Sequence, residues 1–251
     1  MPDHLIVFDL ETVPDLNAFA AANQLSGRPD DEIRTTMGDG FPRLIFHKIV
    51  AIGALVASRS GRGAFGVDSL GAPHIGERSE AELIRAFVNR IDELSPRLVS
   101  FNGASFDLPV LRYRAMVNRV AAPGLAARNY FNRYTDDALD LCDVLASFDN
   151  RGKLKLDELA RALGLPGKPS GMDGGQVEAY VNAGRIREVA EYCETDVVNT
   201  YRTYLRYELF RGGLDEPAYA TSEANLSSFI LGKASVKPHL VALAERPTQL
   251  L

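Results

Sequence analysis

The sequence predicts an α/β fold, a sheet covered by helices, and three observations lead there. Strand-like and helix-like stretches alternate from start to finish, with no internal repeat and no low-complexity segment. The 251 residues are 46% hydrophobic, enough to bury one sizeable core. The apolar runs are short: the longest uncharged one, "IVAIGALVA" at 49–57, falls far below the roughly 20 residues of a membrane-spanning helix.

Each element follows from local pattern. His4 to Leu10 is a buried strand, and residues 17–42, rich in Gly, Pro and acids, form an insertion with a short helix. Strands follow at 48–58 and 64–70. Ser79 with Glu82 three residues on is a helix start, and Leu83, Ala86, Phe87 and Ile91 keep helical spacing to Leu94, before Pro96 ends the run. "RLVSF" at 97–101 is a strand, Asn102-Gly103 a turn, and 105–118 a helix that tolerates Pro109 in its first turn. Residues 121–137 are irregular, with a short strand at 139–142. Helices are expected at 156–163 and 174–183, and a longer one at 185–209 closed by Gly212-Gly213. Two more are expected within 222–234 and 238–245.

The formal charge of −5 gives no basic surface for tight, non-specific binding to long nucleic acid and leaves room only for a local site. Two cysteines are too few for a disulfide framework, and no signal-like segment opens the chain, so a reducing, cytoplasmic setting without a membrane is expected.

The chemistry concentrates in acids. Side chains alternate along a strand, so Asp9 and Glu11 share one face while Phe8 and Leu10 take the other. They stand at the carboxyl end of the first strand, where open α/β sheets place ligands. In "SFNGASFDLPVL" (100–111) Asp107 opens a helix after a strand and an Asn-Gly turn. In "EYCETDVV" (191–198) Tyr192 and Asp196, spaced i, i+4, project from one helix face. Each motif alone has a bland explanation: solvation, the helix dipole, an amphipathic boundary.

In this order, D-x-E, F-N-G-x-x-F-D and Y-x-x-x-D resemble the DEDD exonuclease family in its tyrosine-bearing branch, over about residues 4–210. More narrowly, the chain looks like the bacterial stand-alone predicted 3′-5′ exonucleases related to the proofreading domain of family B DNA polymerases. The sister branch carries His five residues before its last Asp, where this chain has Glu191. The resemblance implies a ribonuclease H-like mixed sheet of five strands, the second antiparallel to the rest, flanked by helices. It implies an exonuclease domain over 1–210, with 211–251 as a helical appendage of the same domain that carries no part of the motif.

The resemblance also implies that Asp9, Glu11, Asp107 and Asp196 hold two divalent cations, with Asp9 bridging them and Asp107 acting directly or through water. Tyr192 would orient the attacking water. Hard oxygen ligands suit Mg²⁺ or Mn²⁺, and no clustered His/Cys set points to structural zinc. A phenol titrates near pH 10, so the tyrosine directs the water and is not its base. By the same resemblance Asn102 and Phe106 border the terminal nucleotide, and the backbone around Leu10 and Thr12 meets the 3′ hydroxyl. For Phe106, core packing is an equally good reading.

The stretch 151–168 holds Arg151, Lys153, Lys155, Arg161 and Lys168 against Asp157 and Glu158, a candidate to steer strand phosphates or a solvated helix face. "GLPGKPSG" (164–171) has the wrong spacing for a Walker loop. The four histidines are scattered; His47, at a strand entrance, is a candidate to line the cleft. Cys142 and Cys193 read as small buried hydrophobes, Cys193 packing its helix on the sheet.

The expected function is a metal-dependent 3′-5′ exonuclease releasing nucleoside 5′-monophosphates from single-stranded DNA ends. The alternatives are a 3′-5′ exoribonuclease using the same site, and a catalytically silent nucleic-acid-binding module. A protein partner that delivers the substrate is compatible with each, as are roles in DNA repair and end trimming.

Overall fold

The computed structural model describes residues 3–168 and 172–244. The tail of the "GLPGKPSG" stretch (169–171) and residue 245, the expected end of the last helix, lie outside the described residues. In chain order the elements are β1 (Asp3–Pro14), α1 (Leu16–Ala22), α2 (Asp30–Met37), β2 (His47–Arg59), β3 (Gly66–Gly71), α3 (Glu80–Leu94), β4 (Arg97–Ser100), α4 (Asp107–Val117), α5 (Pro123–Ala127), β5 (Ala138–Asp140), α6 (Leu141–Leu145), α7 (Leu156–Ala162), α8 (Val177–Asn182), α9 (Ile186–Phe210) and α10 (Glu216–Leu231). A 3₁₀ helix, Pro238–Ala244, follows.

The five strands form one mixed sheet in the order β3-β2-β1-β4-β5, with β2 antiparallel to both its neighbours and the others parallel to β1. Alternation along β1 splits the core in two. Leu5 and Val7 pack with Val197, Tyr201 and Leu205 of α9, whereas Ile6, Phe8 and Leu10 pack with α3 and α4 through Leu83, Phe87, Leu108 and Leu111. Asp9 and Glu11 continue the α9-facing set.

Several boundaries differ from the sequence reading for physical reasons. β1 runs past Leu10 to Pro14 because β2 pairs with it that far, Pro14 opposite His47. The parallel ladder to β4 stops at Val7–Val99, so the acid pair still stands beyond the parallel strand's end. The insertion carries two helices, α1 and α2. α4 starts at Asp107 because the Ser105 hydroxyl donates to both oxygens of Asn102, which holds 102–105 in a turn. β5 ends at Asp140, whose carboxylate caps α6 by accepting from the Cys142 and Asp143 N–H groups. The 121–137 segment contains α5. α10 begins at Glu216, capped by Asp215 accepting from Ala218 N at 2.8 Å. The expected capping box at Ser79 and Glu82 is formed.

The segment after α9 completes the α9-side core. Leu226, Ile230, Leu240 and Leu243 are buried in the same cluster as Leu5 and Val7. Lys237 and His239 pair with Glu194 of α9, and Ser222 and Asn225 hold the backbone of Phe65.

Candidate active site

The four acids converge because three elements meet at one end of β1. Asp107, first residue of α4, accepts the Leu10 N–H through Oδ1 at 2.9 Å, which stitches the helix start to the strand between Asp9 and Glu11. The approach needs the Asn-Gly turn: Asn102 sits at φ +71°, and a Cβ on Gly103 would lie 2.4 Å from Ser100 Oγ and 3.2 Å from Asp107 Oδ2. Asp140 fixes that turn, accepting from Asn102 N at 2.7 Å and Ala104 N at 2.9 Å. The third element, α9, lies close on the sheet because Gly53 has no side chain; a Cβ there would meet Cys193 Sγ at 2.6 Å. Cys193 packs helix on sheet as expected, its Sγ 3.5 Å from Asp9 Oδ2. Its neighbours Tyr192 and Asp196 thereby face the strand acids. An irregularity in β1–β2 pairing falls at Glu11/Thr12, the kind of bulge that re-aims side chains beside functional sites.

The nine residues to which the resemblance gives a catalytic, metal or substrate role, Asp9, Leu10, Glu11, Thr12, Asn102, Phe106, Asp107, Tyr192 and Asp196, line one cleft of about 810 Å³. A second cleft of about 750 Å³ adjoins it, shares Asp9, Asn102, Tyr192 and Asp196, and is lined by Lys153, Lys155, Arg161 and Lys168 together with Asp157 and Asp173. In the first cleft Phe106 meets His47 edge-on (centroids 5.0 Å) and Phe41 at a tilt (5.6 Å), and Phe41 is 75% exposed. Phe106 therefore joins both readings, packed on one side and open to the cleft on the other. His47 lines the cleft, its Nδ1 3.0 Å from Thr12 Oγ1, and burial lowers its pKa.

The electrostatics are those of a site short of positive charge. Burial first, and the neighbouring Asp196 charge second, push Asp9 up to about 7. Burial and Asp9 raise Glu11 and Asp107 well above the carboxylate range, and burial raises Asp196 against the pull of Lys168. Burial and the surrounding acids push the Tyr192 phenol upward, and the Cys193 thiol rises for the same causes, so both stay protonated. Asp196 Oδ1 is buried without a hydrogen-bond partner. Ligand atoms of Asp9, Glu11 and Cys193 lie within 4.8 Å of one another. A protonated thiol is a poor ligand for a hard cation, whereas an orphaned carboxylate oxygen among raised acids fits one.

Lys168 is the site residue that sequence reasoning placed elsewhere, among groups for strand phosphates. Its Nζ donates to Tyr192 Oη and to Asp196 Oδ2, both at 2.6 Å, and sits 4.4 Å from the tyrosine ring centroid. No local pattern announces this, since its partners lie on a helix 24 and 28 residues later and only the fold brings them together. The rest of the basic stretch is largely self-neutralised: Arg151 pairs with Asp149, Lys153 with Asp143 and Arg161 with Asp157.

Comparison with known proteins bears on this geometry. Residues 39–246 match the model of a family described as "Predicted 3'-5' exonuclease related to the exonuclease domain of PolB". Asp9 and Glu11 lie ahead of the matched segment. Among solved structures, the chain is similar to a family B DNA polymerase from the hyperthermophilic archaeon Pyrobaculum calidifontis, with a TM-score of 0.53 and 19% identity. The similarity covers 94% of this chain and 30% of the polymerase, so the chain spans under a third of that protein's length. No curated protein matches. The polymerase likeness carries the fold, a ribonuclease H-like mixed sheet flanked by helices, and the family model carries the activity: the chain belongs to the family of predicted 3′-5′ exonucleases related to the exonuclease domain of PolB.

Proposed function

We propose that this exonuclease removes nucleoside 5′-monophosphates from the 3′ ends of single-stranded DNA, with two divalent cations, Mg²⁺ or Mn²⁺, held by Asp9, Glu11, Asp107 and Asp196. The observation that carries the reading is the convergence of four carboxylates and one tyrosine where two clefts meet, with Lys168 the cation that touches them among the described residues. The family's relation to a DNA polymerase domain favours DNA over RNA. Bound divalent cations supply charge neutralisation at the attacked phosphate and a nucleophilic water at neutral pH.

The chain's own groups do the rest. A water oxygen attacks the terminal phosphorus and the bond to the preceding 3′ oxygen breaks, leaving a 5′-monophosphate and a strand one nucleotide shorter. Tyr192, kept protonated and tied to Lys168, serves as a neutral hydrogen-bonding group that orients the water. Asn102 has its Oδ1 engaged by Ser105 and Lys153 (2.9 and 3.1 Å), so its amide N–H₂ donates into the cleft towards a sugar or phosphate oxygen. The Leu10 N–H is taken by Asp107, which leaves the Thr12 hydroxyl, paired with His47, as the polar group on that wall for the terminal sugar. Phe106 and Phe41 give the terminal base an aromatic wall. In this reading residues 1–210 are the exonuclease domain and 211–251 its appendage, whose described part, 211–244, braces α9 from behind.

The test is a gel assay on 5′-labelled single-stranded DNA and matching RNA, with Mg²⁺, Mn²⁺ or EDTA. The expected result is a metal-dependent ladder shortening from the 3′ end of DNA. A faster RNA ladder would transfer the substrate to RNA, and intact strands under every condition would overturn the reading.

A further inference from the structure

Away from the acids, the loop 128–137 and the segment after α6 bring two aromatic rings together at the surface. Tyr134 and Phe148 stand with centroids 5.0 Å apart, 72% and 38% exposed. Such a pair gains little from burial where it stands. The backbone beneath it is also disfavoured: Ser147 and Phe148 are consecutive non-glycine residues at φ +52° and +61°, the left-handed region that side chains usually avoid. The Phe148 N–H reaches back to the Asp143 carbonyl at 2.8 Å, closing α6 in a Schellman-type turn without glycine. The partner loop is pinned at its base by Arg128 on Asp137 and at its tip by Tyr134 N–H on Asn132 Oδ1. Two loops thus hold two rings outward.

Cations tie this pair to the candidate active site. The Arg133 guanidinium carbon lies 5.8 Å from the Tyr134 centroid and 5.5 Å from that of Phe148. Arg133 pairs at 2.6 Å with one oxygen of buried Asp143, and Lys153 pairs at 2.9 Å with the other. Lys153 in turn reaches Asn102 Oδ1 at 3.1 Å and lines the second cleft with Leu154 and Lys155. A continuous file of side chains runs from the rings, through Arg133, Asp143 and Lys153, to the turn beside Asp107.

We propose that Arg133, Tyr134 and Phe148 form a stacking platform for bases of the substrate strand upstream of its 3′ end, with Lys153 and Lys155 under the intervening phosphates. Exposed aromatic faces beside a cationic path are what a single strand of any sequence needs: the rings take the bases and the cations the backbone. A double helix, its bases stacked inward, offers the rings nothing. The inference rests on the exonuclease reading for the strand's polarity.

Two measurements test it. Michaelis constants are compared on a dinucleotide and on strands of about ten nucleotides, for the parent and for Tyr134→Ala with Phe148→Asn, asparagine being a residue that tolerates the left-handed backbone. The expected result is KM raised about tenfold on the long strand, the scale of one base stack removed, with the dinucleotide KM and both kcat values unchanged. Equal effects at both lengths, or none, would overturn the platform. The second readout needs no catalysis. The chain has no tryptophan, so Tyr134→Trp places a lone indole on the platform. In EDTA its fluorescence should be quenched by an oligothymidylate of about ten nucleotides and not by thymidine monophosphate at equal nucleotide concentration. An indole unmoved by the oligonucleotide removes the proposal. A wild type that makes no ladder would sink the exonuclease reading while the quenching experiment still decides the platform.

Discussion

Glu80 on one side of the sheet and the acid cluster on the other are both removed from water, and the protein answers them differently. Glu80, first residue of α3, takes two bonds from Arg114 at 2.7 and 2.6 Å, one from Ile49 N and one from Asn118. Arg114 also holds Asp15. Every strong acceptor there has a donor from the chain, and the cluster ties α3, α4, β2 and the start of α1 together. On the α9 side Glu11, Asp107 and Asp196 are buried, Asp9 partly so, with Lys168 against them and one oxygen of Asp196 left over. A fold that can satisfy a buried acid in full, and does so nearby, leaves this group short of positive charge. The difference separates acids that hold the protein together from acids that, in the function proposed above, take a cation from outside.

The widest separation should come from removing one acid of each kind. Asp9→Asn should lower kcat by about a thousandfold or more, the scale of several kcal/mol of transition-state stabilisation, without lowering the metal-free unfolding midpoint, because it relieves repulsion. Glu80→Ala should do the reverse: about 3 kcal/mol of stability lost as buried Arg114 keeps Asp15 alone as its acidic partner, with kcat per folded molecule retained. Steady-state rates and thermal melts on both variants check this. An Asp9→Asn protein that melts as early as Glu80→Ala would dissolve the distinction.

Added Mn²⁺ or Mg²⁺ should sharpen it. At about a hundred times the dissociation constant a ligand bound only by the folded state adds about 2.7 kcal/mol, or roughly 5–10 °C in midpoint for a chain of this size. The shift should be present in the parent and in Glu80→Ala, and lost in Asp9→Asn. Equal shifts in all three would mean the metal binds elsewhere.

A smaller effect is expected from protons. Asp9 rises from 3.8 to about 7 on folding, so the folded protein binds this proton more tightly than the unfolded chain. That contribution to stability is complete below pH 3.8 and is lost as pH climbs through 7. In EDTA the parent should therefore lose a few degrees relative to Asp9→Asn between about pH 5 and 8. Saturating Mn²⁺ should flatten the trend, since the metal displaces the protons. A midpoint difference that is constant across this range would contradict the raised carboxylate.

What the sequence disclosed followed from how local each feature is. Asp9 and Glu11 are legible because strand alternation puts them on one face whatever the tertiary structure, and Tyr192 with Asp196 because a helix does the same at i, i+4. The sheet order is legible only through the resemblance, since periodicity reports faces and not neighbours. The local pattern ends β1 four residues early because the strand's extension depends on a ladder with β2. It starts α10 six residues late because Gly212, Gly213 and Pro217 look like breakers, whereas Pro217 sits in the first turn of a helix capped by Asp215. Lys168, Phe41, Tyr134 and Phe148 all reach their partners from loops or an insertion, where no period constrains the side chain.

The finest distinction lies within the second cleft, between two lysines two positions apart. Lys155 lines the cleft, whereas Lys153 also pairs with Asp143 and donates to Asn102. If both sit under strand phosphates, replacing either with Ala should flatten the salt dependence of binding by about 0.7 in log–log slope for each phosphate of a single strand that is no longer neutralised. Lys155→Ala should stop there, with kcat unchanged. Lys153→Ala should also lower kcat severalfold, because the Asn102 amide loses one of the donors that fix its orientation and the turn holding Asp107 is adjacent. Binding by fluorescence anisotropy across a salt series, set beside kcat, reads both. Unchanged slopes would retire the phosphate role of the stretch, and equal kcat values would leave Lys153 a charge like its neighbour, with Ser105 and Asp140 alone holding the turn.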